Sequence, residues 1–211
     1  MNMSIACLRM TGAALALILV GGCTLPSEPP VFTNGDKTYG TVDGTFRHRW
    51  WNYYERALSY AEGEFYEYAE ADLQRALEGR DTDQRRARTY GMHFTDYFPH
   101  RELGVIYYFT GKLEAAREEL ELSLAQHASA KARYYLDRVR EALIEKSGRV
   151  TAPPVIVMMP ERKEFWTRED SVSITGTVRD EAFVSNLTIH GTPVFLEGSR
   201  KTVSFEHSLD L

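Results

Sequence analysis

Apolar positions divide the chain into three stretches with three different spacings. Residues 10–20 form an almost unbroken apolar run. Between residues 46 and 146 apolar side chains recur every three to four positions, the spacing that gathers them on one stripe of an α-helix. Tyr53, Ala57, Tyr60 and Ala61 mark one stripe, and Tyr66, Ala69, Leu73, Ala76 and Leu77 a second, with Gly63 in the turn between them. Leu103, Ile106 and Tyr107, then Leu113, Ala116, Leu120 and Leu124, predict two more helices around Gly111. A fifth helix is expected over residues 129–146, with Ala132, Tyr135, Leu136, Val139, Ala142 and Leu143 on its apolar side and Gly148 as its C-terminal stop. After Pro153-Pro154 the period falls to two. Val155 and Val157, Val172 to Val178, Leu187 and Ile189, Val194 to Leu196, and Val203 and Phe205 then predict about five short strands, with turns at residues 190–193 and at Gly198-Ser199.

The two predicted helix pairs carry a second regularity. His100, Leu103, Gly104, Tyr107, Ala116 and Leu120 fall at the spacing Trp-x2-Leu-Gly-x2-Tyr followed by Ala-x3-Phe, with His100 in the Trp place. Residues 100–124 therefore resemble one tetratricopeptide repeat. Tyr53, Ala57, Tyr60, Ala69, Leu73 and Ala76 resemble a second, with Arg56 where the pattern has Leu. Small residues at Gly104 and Ala116 suit helices packed at close approach. The resemblance implies a binding scaffold without chemistry of its own, with the helix over 129–146 covering the end of the array. Ala57 and Gly104 stand 47 positions apart, 13 more than the period of about 34. The excess is an insertion at 79–99, in which Arg80, Arg85, Arg86 and Arg88 give way to Tyr90, Phe94, Tyr97 and Phe98. Such insertions form loops on one face of an array; Asp81 and Thr82 are also placed to start a short helix or to lengthen the preceding one.

Composition adds little to this picture, while the first apolar run adds a location. With 43% hydrophobic and 26% charged residues and a formal net charge of -5, the chain has an ordinary globular composition and lacks the basic excess of a nucleic-acid partner. Residues 10–20 are too few to cross a bilayer, which takes about 20, and match the core of a signal peptide. Leu19-Val20-Gly21-Gly22-Cys23 resembles the bacterial lipobox, in which the Cys receives a diacylglyceryl group before the leader, here residues 1–22, is removed. The alternative is an ordinary secretory signal with an incidental Cys. The resemblance implies a lipoprotein held at the membrane by acyl chains such as palmitate, with Cys23 as lipidation site and that covalent lipid as the sole prosthetic group. Thr24, where inner-membrane retention calls for Asp, implies the outer membrane and a periplasmic face. Cys7 leaves with the leader, so Cys23 stays without a disulfide partner in the chain. Residues 23–45, rich in Pro, Gly, Ser and Thr, are expected to be a tether.

Candidate chemistry is sparse. His93, Asp96 and His100 stand three and four apart, but Pro99 interrupts a helix that would carry all three, and neither a metal site nor a cofactor is expected. A nucleophile elbow and a phosphate loop are lacking, so no enzyme is expected. Partner binding is assigned to Tyr53 and Tyr108 on the first helix of each pair, with Arg85, Arg86 and Arg88 as a polar rim; Tyr60 and Tyr107 are expected to pack between helices. The aromatic cluster Phe46, Trp50, Trp51, Tyr53 and Tyr54 reads as a packing layer, or as a strip for a peptide or glycan.

The expected fold class is α+β as separate domains: a tetratricopeptide-type helical array over 46–148 followed by a partial β-sandwich over 153–211. Residues 171–194 resemble bacterial immunoglobulin-like modules of the cell envelope. Such a sandwich takes about 100 residues, so the segment over 153–211 is expected to be truncated or completed by another chain. The order lipobox, helical repeats, immunoglobulin-like segment resembles lipoproteins that continue into a caspase-like cysteine peptidase domain, whose Cys/His pair has no counterpart here. The expected function is a lipid-anchored scaffold for an envelope protein or peptide. The alternative is the regulatory N-terminal part of a caspase-like peptidase, and a third class is a peptidoglycan binder.

Overall fold

The computed structural model describes residues 29–148, 152–159, 166–168 and 170–210. The leader, Cys23 and Thr24 lie outside the described residues. Among the described residues the fold is mixed α+β, with five helices and small antiparallel sheets. Among the described residues no helix is long and apolar enough to cross a membrane.

Helices α1 (Trp50–Glu62) and α2 (Tyr66–Gly79) form one antiparallel pair, and α3 (Pro99–Phe109) and α4 (Leu113–Gln126) a second. Connections of three residues force each pair to fold back on itself, and Gly111 turns the second with φ +75°. Helix α5 (Ala130–Ser147) packs on the second pair. Its ends follow from sequence: the Ser129 side chain accepts from the Ala132 N–H at 3.2 Å, and Gly148 adopts the left-handed conformation that stops it. One core joins Ala57, Tyr60, Ala69, Leu73 and Ala76 to Leu103 and Ile106, and another joins Ala116 and Leu120 to Ala132, Leu136 and Val139. Alanines and Gly104 let the backbones approach: a Cβ on Gly104 would lie 2.6 Å from Leu120 Cγ. Arg56, at the place of a patterned Leu, reaches across to Asp72 on α2 in a two-pronged pair at 2.6 and 2.7 Å.

Two segments differ from expectation. The tether expected over 23–45 is, from residue 29 on, packed against the first helix pair. Strands β1 (Phe32–Asn34) and β2 (Lys37–Tyr39) form a hairpin, Phe32 stacks on Phe65 at 3.9 Å, and the Tyr60 hydroxyl donates to the Pro30 carbonyl at 2.6 Å. Two aromatic rings among the Pro and Gly residues are enough to dock it. The insertion is a second hairpin instead of an added helix: β3 (Gln84–Arg88) pairs with β4 (Phe94–Tyr97), with a register shift between Gln84 and Ala87 where Arg86 has φ +57°. Only Ala87 of β3 is buried, which is why the basic run carries no visible alternation.

In the C-terminal part, β5 (Val155–Met159), β6 (Ser171–Val184) and β9 (Arg200–Asp210) form an antiparallel sheet in the order β5-β6-β9. Strands β7 (Thr188–Ile189) and β8 (Thr192–Pro193) form a hairpin whose turn, His190-Gly191, has φ of +50° and +80°. The strand expected over residues 194–196 ends instead at Pro193, beyond which Val194 donates to the Leu187 carbonyl at 2.8 Å. Leu187, Ile189, Val194 and Leu196 cover Val178, Val184, Val203 and Phe205. This part meets α5 through polar groups: the Ser199 hydroxyl and N–H donate to Asp137 Oδ1 at 2.5 and 3.0 Å, and Arg140 donates to the Ser199 carbonyl at 3.0 Å.

Candidate ligand groove

The helical repeat of about 3.6 residues puts Trp51, Glu55, Leu58 and Glu62 on one face of α1, and Glu102, Val105 and Phe109 on one face of α3. Leu58 lines two hollows. The larger, of about 860 Å³, lies between α1, the segment from Asp43 to Arg49, and the turn and second strand of the β3-β4 hairpin. The smaller, of about 270 Å³, runs between α1, α3 and α5, with Phe109, Lys131 and Tyr135 on its walls. Sharing Leu58, the two hollows adjoin along α1 as a candidate groove, and the smaller reaches α3.

Apolar surface in this groove is left open. Phe109 is 52% exposed, with one ring face stacked on Tyr66 at 5.7 Å and its edge toward Tyr135. Tyr90 and Phe94 of the hairpin are 60% and 44% exposed, and Tyr90 lies 6.4 Å from Trp51 and stacks on His93 at 4.5 Å. The acidic groups of the floor already have partners. Glu102 binds Arg101 at 2.7 Å and Lys131 at 2.5 Å, Glu62 binds Lys37, and Glu55 accepts from the Asp43 N–H at 2.7 Å. Buried tyrosines brace the walls from behind: the Tyr54 hydroxyl accepts from the Phe98 N–H at 3.2 Å, and that of Tyr97 donates to the Arg80 carbonyl at 2.6 Å. Burial pushes both phenols far above their ordinary value, so both stay neutral.

The hairpin is fixed in place by a buried polar latch. Asp83 accepts from the backbone N–H groups of His100 and Arg101 at 3.0 and 3.3 Å, capping the free amides at the start of α3, where Phe98 offers no side-chain cap. His100 Nδ1 meets Glu119 on α4 at 2.6 Å and Nε2 meets the Asp81 carbonyl at 2.9 Å. Burial alone would lower the His100 pKa, but hydrogen bonds to Glu119 and to the Asp81 carbonyl, with the Glu119 and Asp83 charges, outweigh it and raise the value. A raised folded pKa stabilises the fold fully below about 6.5, and that contribution is lost as pH rises through the folded value. Burial also raises Asp83, despite its hydrogen bonds, so its charged form costs stability once pH has risen through its folded value. We expect the melting temperature to decline as pH rises from about 6 through the raised His100 value. His100→Gln should flatten that decline and cost about 1–2 kcal/mol at pH 6; thermal unfolding across pH reads both, and an unchanged slope in the variant would refute the assignment.

The residues singled out from sequence are dispersed. Tyr53 faces away from the groove, its hydroxyl 3.0 Å from His48 Nδ1 and its ring edge-on to Phe46. Tyr108 is half-buried against Tyr135, and it is its neighbour Phe109 that reaches the groove. Arg85, Arg86 and Arg88 are exposed on β3 but outside the larger hollow; Arg86 lies over Phe94 at 5.4 Å and Arg88 donates to the Gly91 carbonyl at 2.6 Å. His93 sits in the hairpin turn and Asp96 accepts from the Arg86 N–H, so neither meets His100. Among the described residues no group of three or more His, Cys, Asp or Glu is placed to hold a metal ion. Leu58 and Trp51 were legible in principle from the phase of α1, three positions after and four before Glu55, but Phe94 and Tyr90 depend on a hairpin with no sequence signal. No protein-family model matches the chain, and no curated protein matches it.

Proposed function

We propose that the chain is a lipid-anchored scaffold of the cell envelope, without catalytic chemistry of its own, that holds an extended segment of another envelope protein in this groove. On this reading the helix pairs are tetratricopeptide-type repeats, the C-terminal strands belong to an immunoglobulin-like segment, and acyl chains on Cys23 keep the protein at the outer membrane facing the periplasm. The supporting observation is the exposed apolar and aromatic surface of Leu58, Tyr90, Phe94 and Phe109 on a floor whose carboxylates are already paired. With Glu62 and Glu102 held in ion pairs, a ligand gains most from these apolar and aromatic contacts, so the segment bound is apolar and aromatic in character.

A photo-reactive phenylalanine at position 109 or 58, introduced in growing cells, should give the same discrete adduct in the membrane fraction. One at Glu118, exposed on α4, should not. Purified adduct partner should bind the Phe109→Ala variant about ten-fold more weakly. With Cys23→Ser, adduct and protein should leave the membrane fraction together. An adduct from position 118 equal to that from 109, or none from either groove position, would sink the groove; Cys23→Ser protein retained at the membrane would sink the anchor.

A further inference from the structure

The two edges of the three-stranded sheet are built differently. Strand β9 carries Arg200, Lys201, Glu206, His207 and Asp210, the charged dress by which exposed edges avoid pairing with other strands. Strand β5, at the opposite edge, reads Val-Ile-Val-Met-Met without a single polar side chain, and all five residues are between 42% and 64% exposed. Register shows how unusual this is within its own sheet. Ile156 and Met158 pair with Val178 and Gly176 and share the face of Val178, Val203 and Phe205, the covered face. Val155, Val157 and Met159 pair with Arg179, Thr177 and Thr175 on the opposite face, where β9 presents Thr202, Ser204 and Glu206. Strands β6 and β9 alternate apolar with polar as a half-buried sheet requires. Strand β5 is apolar on both faces and lacks the charges by which an exposed edge avoids pairing with another strand.

We propose that β5 pairs antiparallel with β5 of a second copy of this chain, about a two-fold axis at Val157, joining two three-stranded sheets into one. An antiparallel two-fold contact places each residue opposite its mirror position, so Val157 meets Val157, Ile156 meets Met158 and Val155 meets Met159. Parity is kept, and each face of the new strand pair stays wholly apolar. Such a contact also sets any charge in the strand close to its own copy, and like charges facing each other are unfavourable. The absence of charge that leaves this edge unprotected against aggregation is what a self-pairing strand needs. Pro153-Pro154 and Pro160 bracket the five residues, and since proline cannot donate to a ladder the pairing is confined to them.

The full chain, purified in mild detergent, is expected to sediment as a dimer in the micromolar range. Val157→Lys, which sets two ammonium groups face to face, should weaken self-association at least about ten-fold with the circular dichroism unchanged. A second pair of variants does not depend on that substitution being tolerated. In a background with Cys7→Ser and Cys23→Ser, Val157→Cys should oxidise to a covalent dimer, since directly opposed residues of antiparallel strands lie within disulfide range. Thr202→Cys on the charged edge should not. A chain that stays monomeric would overturn the proposal and leave this edge to a strand of a different protein. So would a dimer indifferent to Val157→Lys, or one that cross-links through position 202 and not 157.

Discussion

Asp72→Ala is expected to lower the free energy of unfolding by about 3 kcal/mol, the size of effect seen when one member of a buried ion pair is removed. Asp72 is 5% exposed and holds the Arg56 guanidinium with both oxygens, and the side chains of the pair are 8% and 11% exposed. On its other side that guanidinium lies over Phe46 at 4.2 Å, an aromatic face that does not replace the carboxylate as acceptor once it is gone. The asymmetry is the informative part. Replacing both members with apolar side chains of similar volume, Arg56→Met with Asp72→Leu, should restore most of the stability or exceed it, because the desolvation of two charges is then avoided. Urea unfolding of the single and double variants gives the coupling directly; single and double variants equally destabilised would mean that packing, and not charge, connects α1 to α2.

Gly104→Val should cost about 2–3 kcal/mol, at the upper end for overpacking a filled core. The added Cβ would stand 2.6 Å from Leu120 Cγ and 3.2 Å from the Ala116 carbonyl oxygen, and Leu120 is fully buried with no space to retreat into. Gly104→Ala is milder, since alanine regains up to about 1 kcal/mol of helix propensity against the same contact. Pairing Gly104→Val with Leu120→Ala should recover part of the loss, and thermal unfolding of the three variants would show it. A Gly104→Val protein as stable as the parent would mean that α3 and α4 do not pack at this distance. Because α3 carries Phe109, a displaced helix should also weaken groove binding.

What sequence disclosed and what it withheld divide along physical lines. The five helices among the described residues and their turns were legible, because Leu73, Leu103 and Leu120 recur in phase with alanines that have no other use in such positions. Gly148 and Ser129 marked the limits of α5 because their roles are local. The β3-β4 hairpin was not legible: its anchor is Asp83, whose partners on α3 and α4 are 17 or more residues away. The docking of residues 29–45 was hidden for the same reason, since Phe32 stacks on a ring 33 positions later. Tyr53 and Tyr108, assigned for lying on the first helix of each pair, stand outside the hollows, while helical phase directs Trp51, two positions before Tyr53, Leu58, five after it, and Phe109, one after Tyr108, toward them.

The latch at Asp83 has a consequence for the order in which this molecule is assembled. The hairpin follows the first helix pair in the chain, yet its footing is provided by backbone amides at the start of α3, by Glu119 through His100, and by Gln126 at the end of α4. A chain emerging from its N-terminus can complete α1 and α2 while one wall of the larger hollow still has nothing to stand on. That wall is set only when α4 has been made and has closed on α3, so no fragment that stops short of Gln126 has the larger hollow complete.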